Sequence, residues 1–197
     1  MRPIAGKSGY DADFREWGPD YWWQNTRLPY WTMLAAGDFD LMRPLFKQHM
    51  EALPLRKAAT RAYYGHGGAF YPETMTFWGT YNNANYGWNR EGKPDGLADN
   101  KYIRLYWQGG IEMVLLMLEY HDRTGDTAFL EHTLLPFAAE IVTFFDQHWP
   151  RGADGEIHIH PAMALETFRD ARNAPPVAAA PTTVLPRLVT GRRIAGH

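Results

Sequence analysis

The chain has 197 residues, with 20 Lys and Arg against 22 Asp and Glu and a formal net charge of −2. Hydrophobic residues make up 45% of it and aromatic residues 15%, so it can bury a core and general disorder is excluded. The absence of cysteine excludes disulfides, thiolate metal sites and cysteine nucleophiles. Because the sequence has neither a basic cluster nor an apolar run of membrane-spanning length, we expect no nucleic-acid and no membrane partner.

The N-terminal residues lack the apolar core of a signal peptide. The compartment therefore stays open, and an exported parent protein, periplasmic or secreted, would carry its signal upstream of this chain.

Apolar periodicity predicts an all-α fold with helices over residues 20–34, 39–53, 101–123 and 127–148. A Gly-Asp turn separates the members of each pair, at Gly37-Asp38 and at Gly125-Asp126. Glycine commonly ends one helix and aspartate commonly caps the next. The repeated unit is therefore an antiparallel helical hairpin, which is typical of solenoids and of closed α/α toroids.

Residues 65–100 differ from their surroundings because they are rich in Gly, Asn and aromatic residues. So long a segment indicates an ordered binding loop, which we expect at the mouth of a cleft. After an Asp154-Gly155 turn, the alternation over 156–160 predicts a short strand. Residues 173–197 predict a weakly ordered tail with a short helix over 182–190.

The long loop favours a toroid over an open solenoid. A ring of twelve helices would need about 300 residues. We therefore expect residues 1–197 to form one incomplete α/α-toroid domain, truncated at the C-terminal end and also at the N-terminal end.

Carboxylates beside aromatic side chains are the components of carbohydrate sites, because carboxyl groups transfer protons and flat rings stack on sugars. The candidate ligand contacts are Asn25, Arg27, Glu73, Trp78, Trp107, Gln108 and Glu112. Most have a structural alternative: Asn25 and Arg27 could be satisfied within the core, Glu73 could cap a helix or form a surface ion pair, and the residues around Gly109-Gly110 could serve helix packing alone. By pattern alone Glu166 is a weaker candidate.

Other chemistries have little support in the sequence. Glu156, His158 and His160 could share one face of a strand and resemble metal ligands, but a solvated hairpin face is the better interpretation. We expect no metal site and no cofactor. Ser8 is the single serine and no phosphate-binding loop precedes a helix, which argues against serine hydrolase and nucleotide chemistry.

Five motifs resemble a bacterial family of proteins of unknown function that is itself similar to six-hairpin glycosidases of glycoside hydrolase family 95. They are NTRLPYW (25–31), GDFD (37–40), YGHGGAFYPET (64–74), YWQGGIE (106–112) and PAMALET (161–167). The enzymes of family 95 are inverting α-L-fucosidases and galactosidases. The resemblance covers about residues 14–190.

The resemblance implies roles for particular residues. Asn25 falls where the enzymes have an asparagine that positions the attacking water, and Glu166 falls near their general acid. Trp23 stands where they have a second asparagine, which is a departure. Their assisting aspartate would lie beyond His197, and their N-terminal β-sandwich is missing.

The sequence thus predicts a carbohydrate-active protein whose full-length parent hydrolyses a glycosidic bond with inversion, while this chain alone is expected to be inactive. One alternative is a glycan-binding or structural remnant without catalysis. Another is a sugar epimerase or lyase on the same fold, with His66 or Tyr71 as the base.

Overall fold

The computed structural model describes residues 20–164 and 168–194. The described chain is mostly helical, with short two-stranded pairings between the helices. In chain order the elements are β1 (Tyr21–Trp22), α1 (Trp23–Ala36), α2 (Phe39–Tyr64), β2 (Thr74–Met75), α3 (Asn83–Tyr86), α4 (Gly109–Thr124), α5 (Thr127–Phe129), a π-helical turn (Leu130–Leu134), α6 (Leu135–His148), β3 (Ala162–Ala164), β4 (Phe168–Ala171) and α7 (Pro175–Ile194). The predicted all-α class is confirmed.

Both glycines of the Gly-Asp turns end a helix as the sequence predicts, whereas only one of the two aspartates caps the next helix. Gly37 and Gly125 end α1 and α4 in the left-handed conformation, with φ of 82° and 65°. The Asp126 carboxylate accepts the Phe129 amide at 2.9 Å and so caps α5. Asp38 precedes α2 without a side-chain capping bond of its own. These turns place α1 against α2 and α4 against α6.

Helix α4 is the centre of the core, because it is buried on nearly every side. It packs against α1, α2, α6 and α7. Its fully buried side chains are Met113, Val114, Leu116, Met117 and Tyr120. A helix that is apolar all round is expected in this central position.

The predicted start of the third helix, at residue 101, is wrong. Residues 101–105 form turns instead, and α4 begins at Gly109. The Leu105 carbonyl accepts the Met163 amide at 2.9 Å, so it is engaged outside the helix that would need it for the Gly109 amide. Gly109 and Gly110 therefore occupy the first turn of α4, where an added Cβ on Gly110 would lie 2.7 Å from Ile141 of α6.

Prolines disturb the helices less than the sequence suggests. The helix predicted over 39–53 continues through Pro54 to Tyr64. Near Pro136 the chain adopts the π-helical turn, in which the Leu135 amide bonds to the Leu130 carbonyl. Because proline has no N–H to donate, a local change of helical pattern is the expected response.

Two further expectations differ from the structure. Over 156–160 the predicted strand is reduced to one bridge between Ile157 and Arg151, whereas β3 and β4 pair later in the chain. The short helix expected over 182–190 is the longer α7, which places Val177 and Val184 in the core.

Among the residues that the structure describes, one helical stretch, Thr127–His148, is long and apolar enough to cross a membrane by length and composition, with a mean hydropathy of 1.3. Its apolar side faces the core, where Leu134, Phe137 and Phe144 are almost completely buried. Core packing therefore accounts for its composition.

Candidate functional site

The site is built around the start of α1. Strands β1 and β2 pair antiparallel, with Tyr21 opposite Met75 and Trp22 opposite Thr74. The Trp23 amide continues this ladder by donating to the Glu73 carbonyl at 2.8 Å. The pairing brings Glu73, from the 65–100 segment, to the N-terminus of α1.

Glu73 caps that helix. Its side-chain Oε1 accepts the Gln24 amide at 3.0 Å, and Gln24 is the second residue of α1. A carboxylate at this end of a helix also interacts favourably with the helix dipole. At 2% exposure, Glu73 therefore has the capping role that the sequence left as its alternative.

Glu112, in the first turn of α4, joins the same helix from the other side. Its Oε2 accepts the Trp23 indole N–H at 2.6 Å, and its Oε1 is paired with the Arg27 guanidinium. Trp23 and Arg27 are four residues apart and so lie on one face of α1. One carboxylate on α4 thus holds both ends of a helical turn on α1.

Tyr106 lies close enough to both carboxylates for their charges to affect its phenol. Burial, and then the negative charges of Glu73 and Glu112, raise the pKa of the Tyr106 phenol well above its ordinary value, against a weaker opposing effect of Arg27. The side chain is 3% exposed and therefore stays neutral. Gln108, 2% exposed, lies just before α4 beside this phenol.

A narrow crevice runs beside this cluster. Its lining residues are Tyr21, Trp23, Thr26, His49, Tyr71, Pro72, Glu73, Met75 and Gly109. Its cavity volume of about 20 Å³ holds little more than one water molecule. A sugar ring would therefore have to bind outside this crevice, at the exposed surface.

His49 forms the floor of the crevice. It is 6% exposed and stacks on Tyr71 with 5.3 Å between ring centroids. Its Nδ1 lies 2.9 Å from the Leu45 carbonyl. Burial lowers the pKa of the His49 imidazole from 6.5 to about 4, so the ring is neutral near pH 7.

The predicted site residues do not all meet. Arg27, Glu73, Gln108 and Glu112 lie in one cluster, as described above. Asn25 is exposed on α1, and at about 100° per residue it points to the opposite side of the helix from Trp23 and Arg27. Glu166 lies outside the described residues.

The two predicted aromatic contacts have opposite surroundings. Trp107 is 6% exposed, packs among core aromatic rings and donates its indole N–H to the Pro161 carbonyl at 2.9 Å. Trp78 is 55% exposed beside Phe77. Of the two, Trp78 is the one placed where a sugar could stack.

Trp23, Tyr106 and His49 are the members of this cluster that sequence reasoning missed. Trp23 was noted as a departure from the family 95 pattern, and an indole has the N–H needed to bond a carboxylate. A hydrogen-bond partner for the Trp23 indole could therefore have been sought among the predicted acidic residues. His49 and Tyr106 carry no comparable signal, because both read as ordinary core positions.

The residues proposed for an epimerase or lyase are already engaged. The Tyr71 hydroxyl donates to the His49 carbonyl at 2.5 Å, and burial raises its pKa. His66 Nε2 lies 2.8 Å from His148 Nδ1. Burial and the neighbouring His66 lower the pKa of His148 to about 4. No observation on these side chains favours that chemistry.

The hairpin after α6 gives no metal centre either. His158 Nε2 contacts Asp154 Oδ2 at 2.8 Å, and the side chains of Glu156 and His160 are exposed. Within residues 20–164 and 168–194, no group of three or more His, Asp or Glu side chains is arranged to hold a metal ion.

A larger open groove of about 500 Å³ lies between α6, α7 and the 151–159 hairpin. Its lining is mainly apolar and includes Ile111, Phe145 and Leu185. None of the predicted site residues lines it, so the groove and the carboxylate cluster are separate features.

The chain is thus a mostly helical domain in which the carboxylates of Glu73 and Glu112 meet at the start of α1. The glycosyl hydrolase family 95 catalytic domain matches residues 11–188, and the chain therefore belongs to this family. Membership implies a carbohydrate substrate and a role in carbohydrate metabolism. No curated protein matches the chain.

Proposed function

We propose that this domain binds a glycan and hydrolyses a glycosidic bond with inversion, in the parent protein if not in the chain alone. The observation that carries the proposal is the family 95 match over residues 11–188. Glu166 would protonate the leaving oxygen, and Asn25 would hold the attacking water. The exposure of Asn25 on α1 is compatible with that role, since a water at its side chain can reach solvent.

An amide cannot accept the proton of the attacking water, so inversion requires a carboxylate base in addition to Asn25. Glu73 caps α1, and both oxygens of Glu112 already accept bonds from Trp23 and Arg27. A base that is free to act must therefore be a residue other than Glu73 and Glu112.

The engaged state of Glu112 favours a second candidate, glycan binding without catalysis. By the resemblance, Trp23 stands where the enzymes have an asparagine, and here its indole N–H donates to Glu112. In that case the domain keeps the fold and the sugar-facing surface of a hydrolase and lacks turnover.

A panel of aryl glycosides and intact glycans separates the two candidates. Hydrolysis with an inverted anomer, read by proton NMR of the first product, is the expected result for the parent protein. Glu166→Gln should then lower kcat by about 10²–10⁴-fold with little change in binding, because the amide keeps the shape of the acid.

Asn25→Ala should also lower kcat, whereas Thr32→Ala on the same helix serves as the matched control. A retained anomeric configuration, or unchanged turnover in Glu166→Gln, would contradict the mechanism. Glycan binding with no product would support the second candidate.

A further inference from the structure

Phe77 and Trp78 form an exposed aromatic pair on the 65–100 segment. They are 64% and 55% exposed, and their rings meet edge to face with 4.6 Å between centroids. Adjacent large aromatic side chains that remain in water mark a surface with a partner more often than scattered exposed residues do.

The turn that carries this pair is closed by several hydrogen bonds. The Thr76 amide donates to the Thr80 carbonyl at 2.9 Å, and the Gly79 amide donates to the Thr76 carbonyl at 3.0 Å. The two threonine hydroxyls are also 2.9 Å apart. The aromatic pair is therefore presented on a defined backbone turn.

Side chains of helix α2 hold the turn in place through hydrogen bonds. Arg56, 2% exposed, donates from Nε to the Phe70 carbonyl at 2.7 Å and from a terminal nitrogen to the Gly79 carbonyl at 3.1 Å. Gln48 donates to the Phe77 carbonyl at 3.2 Å. A buried cation that holds two carbonyls of one segment fixes that segment on the helix.

Gly79 allows the close approach. Its φ is +97°, and a Cβ added there would lie 2.8 Å from the Ala52 Cβ of α2. The backbone of the turn thus lies directly on the helix, and a side chain at this position would push it away.

We infer that the Phe77–Trp78 turn is a sugar-stacking subsite that binds the apolar face of one pyranose of an extended glycan. The inference rests on the proposed function. A rigid ring loses little conformational freedom when a sugar stacks on it, which favours pre-organised aromatic side chains as platforms.

The crevice beside Glu73 holds little more than one water molecule, whereas the aromatic pair lies on the exposed surface. The glycan would therefore lie along the outer surface, with one ring on the aromatic pair.

The test uses the full chain and native affinity electrophoresis in gels that contain xyloglucan, arabinoxylan, galactan or rhamnogalacturonan. Trp78→Ala and Phe77→Ala are the test variants. Trp88→Ala is the matched control, because Trp88 is an 82% exposed aromatic on the same segment but outside the turn. Urea unfolding of each variant shows that the fold is intact.

For at least one polysaccharide we expect Trp78→Ala to weaken binding by about tenfold, which is about 1.4 kcal/mol. Phe77→Ala should weaken it by a smaller factor, and Trp88→Ala should stay within about twofold. Hydrolysis of a short aryl glycoside is measured separately, so a loss of the stacking subsite is distinguishable from a failure of the proposed function.

Any of these binding results would overturn the inference: a wild-type chain that binds none of the polysaccharides, Trp78→Ala that binds as tightly as wild type, or equal losses in all three variants. A wild-type dimer that Trp78→Ala converts to a monomer in light scattering would also overturn it, since the pair would then bind a second copy of the chain.

Discussion

Replacing His49 with Phe should remove the contribution of this side chain to the acid sensitivity of the fold. His49 is 6% exposed, stacks on Tyr71 and approaches Trp23 edge to face. Its surroundings disfavour a charged imidazole because burial removes the ring from water. The contact with the Leu45 carbonyl opposes this effect more weakly.

The magnitude follows from proton linkage. The pKa of His49 falls from 6.5 in the unfolded chain to about 4 in the fold. Above pH 6.5 the ring is neutral in both states and no stability is lost. As the pH falls towards 4, His49 takes up a proton in the unfolded chain but stays largely neutral in the folded protein. The free energy of unfolding therefore decreases by about 3 kcal/mol. Below that pH this contribution changes no further.

Urea unfolding between pH 7 and pH 4, followed by tryptophan fluorescence, measures this effect. His49→Phe keeps an aromatic ring in the stack and cannot bind a proton. Over that pH range, the free energy of unfolding of His49→Phe should fall by about 3 kcal/mol less than that of wild type. His132→Gln, which removes an exposed histidine from the π-helical turn, is the control and should follow wild type. If the free energies of unfolding of His49→Phe and wild type fall equally between pH 7 and pH 4, the reasoning is refuted.

Two further predictions concern the contacts that hold the site. Glu112→Gln should lower the free energy of unfolding by about 1–3 kcal/mol, because it removes the charge that binds Trp23 and Arg27 across a partly buried contact. Glu119→Gln on the same helix should cost less, since Arg187 keeps Asp122 as a partner; equal losses would contradict the prediction. Gly68→Ala should be severe, because φ is +82° and the added Cβ would lie 2.2 Å from the Phe144 backbone nitrogen. Gly92→Ala has a similar φ of +70° with open space around it and should cost only about 1 kcal/mol. Similar melting temperatures for these two glycine variants would contradict the packing argument.

Some features of this protein follow from local sequence alone. The Gly-Asp turns end α1 and α4 because glycine adopts positive φ without strain, and this preference needs no distant partner. The composition of residues 65–100, which is rich in Gly, Asn and aromatic residues, likewise distinguishes that segment from its surroundings without reference to distant contacts.

The site itself depends on contacts between residues far apart in the sequence. Glu73 reaches Gln24 across 49 positions and Glu112 reaches Trp23 across 89. A carboxylate beside aromatic residues has the same local pattern whether it caps a helix, pairs with arginine or contacts a sugar, so the sequence could nominate these acids without choosing among the roles. The start of α4 was decided in the same way, because the Leu105 carbonyl bonds to Met163 instead of the helix. Tertiary structure settles such choices because a polar group is satisfied by whichever partner the fold brings within hydrogen-bonding distance.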